Sequence, residues 1–158
     1  MEAAKRPRIA TAADAEEIAR LLHAFNLEYD TPTPGEEVLA GRCSELIEAG
    51  ETAVVLGAEP HVGVAVVRYR RSLWTESPTA LDAYLEELYV VPGRRGEGIG
   101  KALLALAVEE SRRRGAVRIE LGTSTDDTAA IGLYESSGFT NLEGEGGPSM
   151  LVYELEFE

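Results

Sequence analysis

The sequence predicts a mixed α/β fold, and three observations carry that expectation. The segment from Leu85 to Leu121 reads as strand, glycine turn, helix and strand in succession. Upstream of it, two runs rich in β-branched residues flank a short turn, the pattern of an antiparallel hairpin. Before the hairpin, apolar residues recur at helical spacing in two separate segments.

The elements follow in order. Arg8 to Thr11 reads as an edge strand, and Thr11 or Asp14 opens a helix whose stripe is Ile18, Leu21, Leu22 and Phe25. Asp30 to Glu37 holds two prolines and a glycine and is a loop, and a second helix runs from about Glu36 to Ala49, ended by Gly50. Cys43 is in register with Leu39, Leu46 and Ile47 on that helix and reads as a small buried hydrophobe. Glu51 to Gly57 and Val62 to Arg71 form the hairpin, joined through Glu59, Pro60 and His61. After a loop that carries Trp74, the next strand begins at about Leu81 and stops at Pro92, which has no amide hydrogen to extend a ladder. Ile99, Leu103, Leu106 and Ala107 then mark one face of a helix that ends in Arg112, Arg113, Arg114 and Gly115. Val117 to Leu121 alternates as a strand, Ala129 onward is helical, and Met150 to Phe157 alternates as a closing strand.

At 158 residues the chain is expected to form one domain over 1–158, burying roughly 68 to 70% of its unfolded surface without staples. Cys43 is the only cysteine, so no intramolecular disulfide forms. His23 and His61 are the only histidines and lie apart in sequence, which argues for structural or surface roles and no metal. A net charge of −13 argues against nucleic acid as a partner, because phosphates require a basic footprint. No apolar run near the N-terminus suits a signal peptide or a membrane span, so a cytoplasmic protein with no membrane partner is expected.

The turn carries the chemistry. Gly93, Gly96, Gly98 and Gly100 lack the Cβ atoms that would keep a ligand from the backbone, Arg94 and Arg95 add positive charge, and the following helix points its positive end back at the turn. A polyphosphate cofactor is expected there. The P-loop pattern fails, since it would need glycine at Arg95 and a hydroxyl at Ala102. In the dinucleotide pattern Glu120 lies at a suitable distance, yet the third glycine falls at Lys101 and several residues intervene between strand and glycines.

Arg95, Gly98 and Gly100 do spell R-x-x-G-x-G, and Ala130 to Phe139, AIGLYESSGF, matches A-x-x-L-Y-x-x-x-G-F. With both motifs in order around a βαβ unit, the C-terminal half of the chain closely resembles the GNAT acetyltransferases. The resemblance implies a single-domain α/β (α+β) fold with a mixed, mostly antiparallel sheet of six or seven strands, splayed at the cofactor cleft and flanked by helices on both faces. It implies acetyl-coenzyme A as acetyl donor and co-substrate. Leu88, Tyr89 and Val90 would meet the pantetheine arm through their backbone, while Arg95 and the amides of Gly96, Glu97, Gly98, Ile99, Gly100 and Lys101 would hold the pyrophosphate. Tyr134 matches the tyrosine that serves as general acid. The segment YLEELYV is similar to the strand of polyamine and small-amine acetyltransferases in which the first acid of the pair is the base. That favours Glu86, with Glu87 as a substrate contact. Strand alternation sends the two acids to opposite faces, so one of them is expected in the cleft. Where the family usually has a cofactor-binding asparagine this chain has Asp127, which when ionised cannot donate; Asp126 and Asp127 are instead suited to cap the Tyr134 helix.

The function implied is N-acetylation of a primary amine on a small molecule. Acetylation of a protein N-terminus or lysine is the alternative within the enzyme class, and a non-catalytic acyl-coenzyme A binding module that regulates a partner is the alternative outside it. The acceptor is expected to enter between the loop at Asp30 to Glu36, the loop at Trp74 and the segment Glu143 to Ser149, an acidic and aromatic set that suits a cation. Edge strands near Arg8 and at Met150 to Phe157 could pair with a second copy, so a homodimer is expected.

Overall fold

The computed structural model describes residues 6–141 and 151–157. The chain divides into two compact units, Met1–Gly122 and Thr123–Glu158. In the first, five strands form one sheet in the order β1 (Arg8–Ile9), β2 (Thr52–Gly57), β3 (Gly63–Arg71), β4 (Leu81–Val90) and β5 (Ala116–Glu120). The first four pair antiparallel and β4 pairs with β5 in parallel, so the sheet is mixed and mostly antiparallel, as expected. Among the described residues it has five strands, fewer than the six or seven predicted. The closing strand is part of the difference: residues 151–157 carry no strand, and Met150 lies outside the described residues. A period-2 pattern marks a strand only if an edge receives it.

Helices cover both faces. Strand alternation turns Val54, Leu56, Val64, Val66 and Tyr89 toward α1 (Ala15–Glu28) and α2 (Glu36–Glu48), where they pack with Ile18, Leu21 and Cys43. The predicted stripe on α1 is therefore the core contact, and Cys43 is buried as its register required. The opposite sheet face receives α3 (Ile99–Arg113) through Leu103, Leu104 and Ala107, all fully or almost fully buried. Leu104 is deeper than Leu106, so the apolar face of α3 is rotated from the one the spacing suggested.

The approach of α3 is close enough to dictate composition. Gly57 and Gly63 face each other across β2 and β3, and a Cβ built on either would stand 2.8 or 2.9 Å from a methyl carbon of Leu103. Only glycine lets Leu103 sit there. At the far end of α3, Arg113 and Arg114 do more than complement the helix dipole. They grip the buried Glu110 carboxylate at 2.6 and 2.8 Å and hold it well below the usual range, at about 2. Gly115 then turns the chain at φ 91°, the left-handed conformation predicted for its position.

Candidate active site

β4 is ten residues long and β5 is five, and this mismatch opens the site. Their parallel pairing runs from Leu81 and Ala116 to Tyr84 and Glu120 and goes no further. Beyond Tyr84, β4 continues beside β3 alone through Val90. The amide of Val91 donates to the Val62 carbonyl at 2.9 Å, on the β3 side. Alternation therefore turns the N–H and C=O groups of Val90 and Leu88 toward the open edge and those of Tyr89 toward β3. Of the three predicted backbone contacts, two face the gap and one does not.

The glycine turn lies at the end of that edge. A short 3-10 turn over Pro92–Arg94 leads into Gly96 at φ 81° and Gly98 at φ 80°, and Gly98 is the N-cap of α3. The carbonyl of Gly98 accepts from Ala102, which leaves the amides of Ile99, Gly100 and Lys101 with no partner inside the helix. They form a ready anion site. Gly98→Ala is expected to cost about 1–2 kcal/mol through the left-handed backbone alone, since a Cβ there meets no atom within 4 Å. Thermal denaturation of the variant measures it.

The two arginines of the turn are already engaged. Arg94 pairs with Glu97 at 2.6 Å. The Arg95 guanidinium binds both Glu28 carboxylate oxygens at 2.9 and 2.8 Å, donates through Nε to the Val90 carbonyl at 2.9 Å, and lies 5.7 Å from the centre of the Tyr89 ring. The Tyr89 hydroxyl donates to the same Glu28 carboxylate at 3.3 Å. Arg95 is thus a clasp between the end of β4 and the end of α1. The cationic field expected at the turn is largely neutralised by carboxylates, and the turn's backbone amides remain as its anion-binding groups.

The acids beside this edge are placed by a bulge. Val66 pairs with Glu87 and Val67 with Leu85, so Glu86 is an extra residue opposite no partner. Both acids consequently line one cavity of about 190 Å³ between the sheet, α1 and α2. This overturns the expectation from strict alternation that only one acid would face the cleft. Their surroundings differ. Glu86 has a side chain 44% exposed and pairs with Arg68 at 3.3 Å. Glu87 sits in the row formed with Val66 and Val54, and burial, aided by the neighbouring charge of Glu86, pushes its carboxyl up to about 7.

In the second unit, α4 (Thr128–Ser136) carries Tyr134, half-buried, with its ring 5.9 Å from that of Phe139. Asp127 caps α4: its carboxylate accepts the Ala130 amide at 3.0 Å. The capping role read from the sequence for Asp127 is met. Trp74, in the loop after β3, is 82% exposed, and Glu143 to Ser149 lie outside the described residues.

Glu28 and Arg68 were not singled out by the sequence. Glu28 lies 67 positions from Arg95, and Arg68 lies 18 from Glu86. No local motif marks such partners; a helix-terminal acid facing the R-x-x-G-x-G arginine is the only signal that could have found one of them.

A sheet parted beside a glycine turn at a helix N-terminus can receive an extended arm that ends in an anion. The chain belongs to the acetyltransferase (GNAT) family, whose model matches residues 16–139. A crystal structure of an Arthrobacter sp. FB24 protein, assigned provisionally as an acetyltransferase, is 43% identical with a TM-score of 0.87 and covers 99% of each chain. Streptothricin acetyltransferase of Streptomyces lavendulae is 32% identical over 111 residues, 70% of this chain and 53% of that protein. Mycothiol acetyltransferase of Beutenbergia cavernae is 41% identical over 69 residues, 44% of this chain and 23% of that protein. The chain thus spans about half or less of the length of these two relatives.

Proposed function

We propose that this protein is an acetyl-coenzyme A dependent N-acetyltransferase that acts on a primary amine of a small molecule. The observation that carries the reading is the open edge of β4: Leu88 and Val90 turn their peptide groups into a gap that ends at the free amides of Ile99, Gly100 and Lys101. An extended amide-bearing arm can add to such an edge as a strand would, and its pyrophosphate can rest on the helix N-terminus. The residues fit the cofactor on those two grounds, and the left-handed glycines Gly96 and Gly98 let it approach the backbone.

Acetyl-coenzyme A, when bound, supplies the acetyl group as an activated thioester. The chain's own residues manage the protons and the positions. We assign the base to Glu87 rather than Glu86. A carboxyl near 7 is matched to removing an ammonium proton at neutral pH, and Glu87 is the more buried of the two acids. Glu87 Oε takes the proton of the incoming ammonium and leaves the nitrogen lone pair free to attack. Tyr134 Oη, on the resemblance of its motif, holds the proton that the leaving sulfur needs. Arg95 keeps the end of β4 in place through the Val90 carbonyl and Glu28.

The test is twofold. Acetyl-coenzyme A is expected to raise the melting temperature while NAD and ATP do not, and a primary amine is expected to trigger thiol release from acetyl-coenzyme A. Stabilisation without thiol release from any amine class would favour the binding-module alternative. The small-molecule acceptor is supported by the size of the cavity at Glu87, about 190 Å³.

A further inference from the structure

From the cavity lining we infer that the acceptor is a small zwitterionic amine, an apolar body carrying a carboxylate like that of an amino acid, with the carboxylate received by Thr52, Arg68 and Arg42. The inference rests on the N-acetyltransferase reading and adds the substrate class. The acceptor's seat in this inference is the cavity at Glu87. Its walls are apolar, from Leu22, Phe25 and Leu39 on the helices to Val54 and Val66 on the sheet. Its two carboxylates, Glu86 and Glu87, are matched by two guanidinium groups, Arg42 and Arg68. A polycation would meet both guanidinium groups and gain no excess of negative charge.

Thr52 identifies where the anionic end goes. The residue, 2% exposed, lines the cavity, and its buried hydroxyl has no hydrogen-bond partner among the described residues. Such a group costs free energy unless a ligand completes it. Thr52 lies directly opposite Arg68 across β2 and β3, one row beyond the row of Val54, Val66 and Glu87. A hydroxyl donor beside a guanidinium is a carboxylate seat. Arg68 can turn to it from Glu86, since that partly exposed pair is weak. Arg42 of α2 lines the same chamber, and no hydrogen bond or ion pair engages it among the described residues. An acceptor whose carboxylate rests on Thr52 and Arg68 presents its amine one row away, at Glu87. The volume, about 190 Å³, is below the roughly 300–1,000 Å³ of sites for drug-sized ligands, so the body is small.

The test uses the full chain. Thiol release is measured with L-leucine, L-methionine and L-phenylalanine, with the decarboxylated counterparts 3-methylbutylamine and phenethylamine, and with spermidine. Calorimetric titration of the same compounds in the presence of coenzyme A reads the pocket without turnover. Amino acids are expected to bind and turn over at least about tenfold better than their decarboxylated counterparts, the scale of one hydrogen bond to a charged group. That ratio is expected to fall toward one in Thr52→Val and Arg42→Met. Thr52→Val is expected to fold with no loss of melting temperature, because it removes a hydroxyl that has no partner. Equal or better use of the decarboxylated amines or spermidine overturns the substrate class and leaves the acetyltransferase reading standing. Amino-acid binding that depends on Thr52 and Arg42 without any thiol release supports the carboxylate seat and counts against the acetyltransferase reading. Failure of every amino acid to bind overturns the inference.

Discussion

Glu87→Gln is expected to lower kcat/KM by about 10²–10⁴-fold, the usual contribution of a positioned general base, while acetyl-coenzyme A still stabilises the protein. Glu86→Gln is expected to leave most of the activity, because its side chain is 44% exposed and less buried than that of Glu87. The wild-type profile supplies a second readout. The base acts only when ionised, so kcat/KM should rise with pH through about 7, the value to which burial and Glu86 push Glu87. In Glu87→Gln that limb should vanish.

Stability changes in the opposite direction. Because the folded state raises the Glu87 pKa above its unfolded value, the folded form holds the proton more tightly. The stabilisation this provides is complete below the ordinary carboxylate range and is lost as pH rises through about 7. At pH 8 the buried charge is a cost, and Glu87→Gln should melt no lower than the wild type. A variant that loses turnover while keeping its melting temperature separates a chemical role from a structural one.

Tyr134→Phe is the second large effect. If its phenol supplies the proton to the leaving sulfur, kcat should fall by about 10²–10⁴-fold with little change in affinity for acetyl-coenzyme A. The ring, half-buried and stacked edge-on against Phe139, is retained in phenylalanine, so packing should survive. Steady-state kinetics with a thermal-shift titration of the cofactor separates the two parameters. An unchanged kcat would assign Tyr134 a structural role.

Much of the fold was legible because its signals are local. The stripe Ile18, Leu21, Leu22 and Phe25 identified α1, and the β-branched runs gave β2 and β3 to within a residue or two. The positive φ of Gly115 likewise follows from its place just past the end of α3. The bulge at Glu86 was not legible, because nothing in LEELYV distinguishes an extra residue from strict alternation, and it is β3 that selects the register. For the same reason Arg95 read as free charge: Glu28, which neutralises it, arrives from another element. Residues 151–157 alternate apolar and charged side chains as convincingly as β5 does, yet carry no strand. Alternation describes what a segment can do, and pairing depends on the edge it meets.

The account depends most on the open edge of β4 as the seat of the cofactor. Amide hydrogen exchange followed residue by residue, with and without coenzyme A, tests this directly. The predicted result is slowed exchange at Leu88, at Val90 and along the turn from Gly96 to Lys101, with Tyr89 changed least, because its amide already faces β3. Binding that leaves those amides unprotected, or that protects a different surface, would contradict the account.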